Sequence, residues 1–229
     1  MSERELKRLR DEYRKRDAAT ETPYRWDNPG YVSYMQGLER ALLRAFADIG
    51  AQLSGARVLD VGCGSGYFLH RLREYGAGSC HGIDLMESRI ADARERYPGL
   101  DWQVGSATDL PFDDGAFDLV TQFTCLSAIL EGGVRLAAAQ EMRRVAAGGW
   151  VLSVDLRQGS APSAETPSVG LDRPELRRLL GEPELLRRPP LNFGLAQLAG
   201  RHDLAARALA AVPSLRSHYI GLWRVQSER

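Results

Sequence analysis

Cysteine is scarce in this sequence. Three of the 229 residues are cysteines, at Cys63, Cys80 and Cys125. They show no CxxC spacing and no metal-like grouping with the four histidines. So few cysteines are typical of a reducing compartment rather than of a disulfide-stapled secreted domain. We therefore expect a cytoplasmic protein without a metal site.

Long apolar runs and an excess of either charge are also missing. No apolar run approaches the length of a membrane span. Residues 1–16 are charged throughout and lack the apolar core of a signal peptide. Thirty acidic residues balance thirty basic ones, which argues against a chain that coats nucleic acid or an anionic membrane. We expect neither partner, and the oligomeric state stays open.

What the sequence does contain is a regular alternation of short apolar segments with amphipathic, helix-like stretches. This alternation predicts an α/β, Rossmann-like domain with a mostly parallel sheet and helices on both faces. The predicted strands are RVLDV, SCHGI, DWQV, FDLVTQF, WVLSVDL and a closing HYIGLWRV.

Two further segments are expected to cover the site of such a domain. Residues 1–34 are expected to form an N-terminal helical lid. A strong helical stripe follows, at Met35, Leu38, Leu42, Phe46 and Ile49. Residues 195–215 are expected to form a helical insert over the active site.

The segment VLDVGCGSGYF, residues 58–68, carries a glycine turn. Gly62 and Gly64 fit the dinucleotide pattern G-x-G-x-x-G, but the third position holds Tyr67, and a glycine stands one place earlier, at Gly66. This departure disfavours a pyrophosphate site and hence an NAD-dependent reductase. Asp60 would repel a pyrophosphate and attract an ammonium or sulfonium group.

The second strand ends in HGIDLM, which places Asp84 at its carboxyl end. An acidic residue at this point accepts hydrogen bonds from both hydroxyls of a ribose. Leu85 and Met86 follow as apolar walls for a flat base. The third strand leads to GSATDLPF, residues 105–112.

With these ordered motifs, residues 34–156 resemble the class I S-adenosylmethionine-dependent methyltransferases of the type 11, ubiquinone- and menaquinone-biosynthesis-like group. The resemblance implies S-adenosylmethionine as cofactor and a seven-stranded sheet whose last strand is antiparallel. It places Asp60, the glycine turn, Gln122 and Phe123 around the methionine part. Together with neighbouring residues, the predicted cofactor-binding set is Tyr34, Asp60, Gly62, Cys63, Gly64, Gly66, Asp84, Leu85, Met86, Ser106, Ala107, Thr108, Gln122 and Phe123.

The chain departs from the family pattern at two places. The family often has an aspartate where this chain has Ser106, a position that borders adenine. It also often has a pair of histidines after the fourth strand, where this chain reads CLSAIL. Neither the contact to the adenine amino group nor a catalytic base is therefore implied by a matching residue.

A candidate base comes from topology instead. Methyl transfer is mostly a matter of proximity, but a hydroxyl acceptor benefits from a general base, whereas an amine acceptor needs none. An antiparallel last strand begins at the edge where the parallel strands end, and here it begins with His218. We therefore take His218 as the leading catalytic candidate, together with Tyr24. A histidine satisfied at a strand edge is the alternative.

The remaining aromatic residues near the chain ends are open to two interpretations. Tyr24, Tyr31 and Tyr34 form a lid over the cofactor, or they pack the first helix onto the sheet. The sixth strand is expected to end near Asn192 and Phe193, on the same side as the site.

The sequence thus predicts a methyltransferase that acts on a hydroxyl or amine of a small molecule, such as a sugar or secondary metabolite. A nucleic-acid or protein methyltransferase is one alternative. The enzymes that methylate base amino groups have an Asn/Asp-Pro-Pro-aromatic motif after the fourth strand, where this chain reads QFTC. A non-catalytic S-adenosylmethionine-binding protein is the other alternative.

Overall fold

A mixed sheet forms the centre of the protein. The computed structural model describes residues 2–18, 24–160, 167–197, 208–209 and 211–227. Within these ranges the sheet has seven strands in the order β3-β2-β1-β4-β5-β7-β6. Strands β1 to β5 are parallel, and β7 runs antiparallel to both of its neighbours. The strands are β1 Arg57–Val61, β2 Ser79–Asp84, β3 Asp101–Val104, β4 Leu119–Phe123, β5 Trp150–Leu156, β6 Leu185–Arg187 and β7 His218–Arg224. The predicted fold class is confirmed.

Helices cover both faces of this sheet. They are α1 Glu3–Ala18, α2 Pro29–Ile49, α3 Tyr67–Glu74, α4 Glu87–Arg96, α5 Cys125–Ala128, α6 Gly132–Val145 and α7 Arg173–Leu180. Side chains of α2, α3 and α4 pack on one face and those of α5, α6 and α7 on the other. Neighbouring strand residues alternate between the two cores, as Val58 and Leu59 do, and both are fully buried. Burial on both faces explains why the strands read as continuous apolar runs.

Helix α2 follows the apolar stripe seen in the sequence. Its N-terminus is capped by Asn28, whose side chain accepts hydrogen bonds from the N–H groups of Gly30 and Tyr31. It ends at Gly50, whose φ of 66° suits a left-handed cap. No helix in the described ranges is long and apolar enough to cross a bilayer.

One expectation about the chain's second half differs from the structure, and a second one is not tested by it. Strand β6 ends at Arg187 rather than near Asn192. Pro189 and Pro190 follow it, and a proline cannot donate to a sheet ladder. Most of the expected insert at 195–215 lies outside the described residues, and its end forms a short 3₁₀ turn at Pro213–Leu215.

Gly66 offers a direct test of how the glycine turn joins the core. Its φ is 84°, and a Cβ there would lie 2.4 Å from the Trp102 ring. We expect Gly66→Ala to lower the free energy of unfolding by about 3 kcal/mol, because left-handed strain and overpacking add. Urea denaturation measures this. Gly99→Ala is the control, since a Cβ there meets nothing within 4 Å. Equal losses in the two variants would contradict the prediction.

Candidate functional site

A cavity of about 1220 Å³ opens at the carboxyl ends of the parallel strands. This is the edge at which open α/β sheets bind their ligands. Its lining comes from the ends of β1, β2 and β4, from α1 and α2, and from the start of β7. The antiparallel last strand therefore begins at the cavity, as the sequence predicts.

The glycine turn after β1 is held against the end of β2. Gly62 and Cys63 donate backbone hydrogen bonds to the Ile83 carbonyl oxygen, at 2.8 and 3.1 Å. Gly64 donates to Asp84 Oδ2 at 2.9 Å. Positive φ angles of 72° at Gly62 and 54° at Gly64 shape this path, which a side chain would strain. The turn thus presents its backbone to the cavity beside the Asp84 carboxylate.

Asp84 links the turn to the start of helix α4. Its second oxygen, Oδ1, accepts a hydrogen bond from the Met86 N–H at 2.9 Å. Burial raises the pKa of Asp84, while the two backbone N–H donors act in the opposite direction. Each oxygen keeps a lone pair, because a carboxylate accepts about four hydrogen bonds. Asp84 is thereby placed to accept two hydroxyl groups from a ligand.

Asp60 is the second acidic group of the cavity. It is 1% exposed and accepts a hydrogen bond from Thr121 Oγ1 at 2.8 Å. Burial raises its pKa to about 8, and the negative charge of Asp84 adds to that effect. No cation among the described residues forms an ion pair with Asp60. The free carboxyl therefore suits a positively charged ligand group.

Apolar side chains complete the cofactor side of the cavity. Leu85, Met86 and Ala107 line it, and Phe123 stacks on Phe68 with ring centroids 3.9 Å apart. A flat base needs such apolar walls rather than charges.

Four residues of the predicted cofactor set do not line the cavity: Gly66, Ser106, Thr108 and Gln122. Gly66 lies against Trp102. The Ser106 hydroxyl is hydrogen-bonded to the Thr108 hydroxyl at 2.9 Å. We infer that these four residues pack behind the residues that line the cavity and hold them in place, and that they do not contact a ligand.

Gln122 belongs to a buried polar network beneath the cavity. Its Oε1 accepts the Cys125 N–H at 2.8 Å, and its Nε2 donates to Asp155 Oδ2 at 2.5 Å. Asp155 also accepts hydrogen bonds from Ser127 and Ser153. Burial raises the pKa of Asp155. The network joins β4, β5 and the short helix α5, which positions the Thr124 corner of the cavity.

Thr124 is a lining residue that the sequence does not reveal. Its φ of 60° and ψ of 13° are left-handed, which is uncommon for a residue other than glycine. Its N–H donates to the Val154 carbonyl oxygen at 2.7 Å, which helps to hold the strained turn between β4 and α5. Strain of this kind is concentrated at functional sites.

His218 lies at the far wall of the cavity, opposite Leu156 on β5. It is 2% exposed, and burial lowers its pKa to about 4. Nε2 is 3.0 Å from the Tyr34 hydroxyl, and Nδ1 is 2.8 Å from the Ser217 hydroxyl. As the sequence predicts, His218 begins the last strand at the cavity, and its side chain is almost fully buried there; its catalytic role stays a prediction.

Aromatic rings form the wall around His218. Tyr24 stacks on Phe193 with centroids 4.9 Å apart, and Tyr34 meets Phe193 edge-on at 5.4 Å. The Arg16 guanidinium lies 3.9 Å from the Tyr24 ring centroid. Tyr31 contacts Tyr24 and Trp26 edge-on. The tyrosines therefore pack against neighbouring rings and line the cavity, and their role as a lid over the cofactor stays a prediction.

Helix α1 supplies lining residues that sequence patterns missed. The Arg89 guanidinium carbon lies 4.3 Å from the centroid of the Tyr13 ring. Asp17 forms an ion pair with Arg89 at 3.1 Å. Both α1 residues line the cavity together with Arg89. No motif spacing links α1 to α4, so no sequence signal pointed to these contacts. The expected N-terminal cover thus has a defined attachment beside Asp84.

Within the described part of the chain, no group of three or more His, Cys, Asp or Glu residues could hold a metal ion.

Comparison with known proteins finds similarity to methyltransferases. Residues 58–149 match a family model described as a methyltransferase domain. The chain is 32% identical over 146 residues to the ubiquinone biosynthesis O-methyltransferase of Thiobacillus denitrificans, covering 62% of each protein. It is 37% identical over 99 residues to the ajmaline N-methyltransferase of Rauvolfia serpentina, covering 40% of this chain and 33% of that protein.

A solved structure shares the fold. The S-adenosylmethionine-dependent methyltransferase of Mesorhizobium loti superposes with a TM-score of 0.60 at 19% identity, over 80% of this chain and 95% of that one. The chain spans less than two thirds of the length of the curated relatives named above. Residues 58–149 thus match a methyltransferase domain and lie in a sheet with the fold of an S-adenosylmethionine-dependent methyltransferase, and this match and fold imply S-adenosylmethionine as the cofactor.

Proposed function

We propose that the protein transfers the methyl group of S-adenosylmethionine to a hydroxyl or amine of a small molecule that carries an aromatic ring. The observation that carries this proposal is one continuous cavity that is lined by two different groups of residues. Asp60, Asp84 and the glycine turn form the first group, which we call the cofactor end, and the aromatic rings around His218 form the second, which we call the acceptor end. We also expect the protein to work in the cytoplasm.

The cofactor end has the donor set that S-adenosylmethionine needs. Asp84 would accept the two ribose hydroxyls with its remaining lone pairs. Asp60 would hold the ammonium group, and Leu85, Met86 and Ala107 would flank adenine. The bound cofactor supplies an activated methyl group, so the chain itself must only bind, orient and accept a proton.

The acceptor end favours a flat, largely apolar molecule. Tyr24, Tyr34 and Phe193 provide ring faces and edges, which suit an aromatic ring. The two curated relatives are named as an O- and an N-methyltransferase, so their names support both acceptor atoms. The polar groups of Tyr34 and His218 at this end of the cavity could hydrogen-bond a hydroxyl of the acceptor. We therefore favour a hydroxyl over an amine as the methylated group.

Binding and transfer need separate experiments, because a shared fold does not fix the reaction. Calorimetry with S-adenosylhomocysteine and NAD tests the cofactor, and we expect binding of the first alone. Methyl-labelled S-adenosylmethionine with catechol, benzylamine and cyclohexanol then tests transfer, with catechol expected to be methylated fastest. Binding without transfer to any probe would favour a non-catalytic protein or a nucleic-acid or protein substrate.

The raised pKa of Asp60 predicts how cofactor binding depends on pH. With a pKa of about 8, Asp60 is protonated at pH 7 in the free protein. An ammonium group favours the carboxylate, so binding must release a proton. Affinity for S-adenosylhomocysteine should therefore rise from pH 6 and level off near pH 8.

Calorimetry at pH 7 in two buffers of different ionisation enthalpy measures the released proton. Asp60→Asn should abolish the release and flatten the pH dependence. Asp118→Asn is a matched control, since Asp118 pairs with Arg57 and does not line the cavity. Binding by the unmodified protein without proton release would contradict the assignment of Asp60.

A further inference from the structure

A chain of hydrogen bonds runs from the start of β7 to helix α2. The Ser217 hydroxyl is 3.0 Å from the Leu191 carbonyl oxygen and 2.8 Å from His218 Nδ1. His218 Nε2 is in turn 3.0 Å from the Tyr34 hydroxyl. Tyr34 and His218 are 184 residues apart in the sequence, so only the fold brings them together.

The donor and acceptor groups decide in which direction the protons of these hydrogen bonds point. The Leu191 carbonyl oxygen has two lone pairs, and it lies 2.8 Å from the Ser217 backbone nitrogen and 3.0 Å from the Ser217 hydroxyl. We assign the single hydroxyl proton of Ser217 to the bond with this oxygen. His218 Nδ1 must then carry a proton and donate it to Ser217 Oγ. A neutral imidazole has one N–H, so Nε2 is an acceptor, and Tyr34 must be its donor.

This direction changes which residue faces the methyl acceptor. His218 is 2% exposed, and both of its nitrogens are engaged. Tyr34 as a whole residue is partly exposed and lines the cavity beside Phe193, although burial raises the pKa of its phenol. Because its proton points toward His218, the phenol oxygen offers lone pairs alone to other groups.

We propose that Tyr34, rather than His218, is the catalytic residue that takes the proton from the methyl acceptor, and that His218 and Ser217 are positioning residues behind it. This inference rests on the proposed function. Tyr34 is thereby moved from the predicted cofactor-binding set to the acceptor side of the cavity.

The proposed step balances in atoms and charge. A lone pair of the acceptor oxygen forms the bond to the methyl carbon, and the carbon–sulfur bond breaks with its electron pair left on sulfur. The acceptor proton passes to Tyr34 Oη as the phenol proton passes to His218 Nε2. The positive charge thus moves from the sulfonium to the imidazolium. After the product leaves, the imidazolium returns its proton to Tyr34 Oη as the phenol gives its own proton to water in the cavity.

The tautomer of His218 can be measured without any methyl acceptor present. In protein with ¹⁵N-labelled histidine, we expect His218 to show a protonated Nδ1 and an unprotonated Nε2, assigned by the loss of its signals in His218→Gln. Tyr34→Phe should shift the Nε2 signal toward that of a free acceptor. Ser217→Ala should shift population toward the other tautomer. A protonated Nε2 in the unmodified protein would overturn the proposal.

Transfer to catechol tests the catalytic role. We expect Tyr34→Phe to lower kcat by about 10²–10⁴-fold, the range for loss of a general base, with KM and S-adenosylhomocysteine affinity little changed. Tyr219→Phe is the matched control: it removes a neighbouring phenol outside the cavity and should retain full kcat.

The outcomes separate this inference from the proposed function. An unchanged kcat in Tyr34→Phe would overturn the role of Tyr34 while leaving methyl transfer intact. A protein that binds S-adenosylhomocysteine but methylates none of the probes would contradict the proposed acceptor class. The nitrogen signals of His218 would still decide whether the hydrogen-bond chain exists.

Discussion

Replacement of Asp84 by alanine is expected to weaken S-adenosylhomocysteine binding by about 10²–10⁴-fold. Two ribose hydroxyls would lose a charged acceptor, and each such hydrogen bond contributes roughly 1.5–3 kcal/mol. The variant also removes the acceptor of the Gly64 and Met86 N–H groups, which hold the glycine turn beside the cavity. Both losses act in the same direction, and isothermal titration calorimetry measures their sum.

Two further variants make this test specific. Ser106→Ala should change the affinity by less than about threefold, because Ser106 is hydrogen-bonded to Thr108 and does not line the cavity. Asp84→Asn retains one oxygen acceptor and should fall between the two. Circular dichroism shows whether each variant is folded. Equal dissociation constants for Asp84→Ala and Ser106→Ala would show that the ribose lies elsewhere.

The second large effect is expected at His218. With a hydroxyl acceptor, His218→Ala should lower kcat by about 10²–10⁴-fold, because the phenol of Tyr34 loses the group that receives its proton. Affinity for S-adenosylhomocysteine should barely change, since His218 lies at the acceptor end of the cavity. Steady-state kinetics with the methylated probe, together with calorimetry, measure the two quantities separately.

The buried environment of His218 also predicts a pH profile. Burial lowers the pKa of His218 to about 4, so its imidazole is neutral and able to accept a proton throughout the range from pH 6 to 8. The acidic limb of kcat that depends on His218 should therefore lie well below the usual histidine range. An acceptor oxygen becomes strongly acidic as its bond to methyl forms, so even this weak base suffices.

An amine acceptor would give a different result. The loss of kcat in His218→Ala should then be small, because the amine lone pair needs no base. An unchanged kcat together with an unchanged acidic limb, measured with a hydroxyl acceptor, would remove His218 from the reaction. Orientation by the aromatic wall would then be the main contribution of the acceptor end.

Local patterns were enough to predict most of the strands and the acidic residues that line the cavity. RVLDV, DWQV and WVLSVDL coincide with β1, β3 and β5 as the structure has them. Asp84 and the glycine turn were also placed correctly, because each lies within a few residues of a strand end. Their neighbours in space are set by the parallel register of β1 and β2, which the alternation of strands and helices already implies.

Side-chain direction at strand ends was not predictable in the same way. Gln122 and Phe123 are neighbours at the end of β4, and both side chains pack against the interior of the protein. The amide of Gln122 turns into the network around Asp155, whereas Phe123 lines the cavity. In a strand buried on both faces, polarity does not mark which side carries the site. The sequence therefore could not distinguish a lining residue from a supporting one.

By itself, the sequence determined the fold class, the edge of the sheet that carries the site and the acidic residues of the cofactor end, because those depend on patterns within one strand and its turn. Only the tertiary structure decided the partners of α1 on α4, the burial that shifts the pKa values of Asp60 and His218, and the pairing of Tyr34 with His218. These features depend on contacts between residues far apart in the chain and on the exclusion of water by folding. Local sequence spacing does not determine either of them.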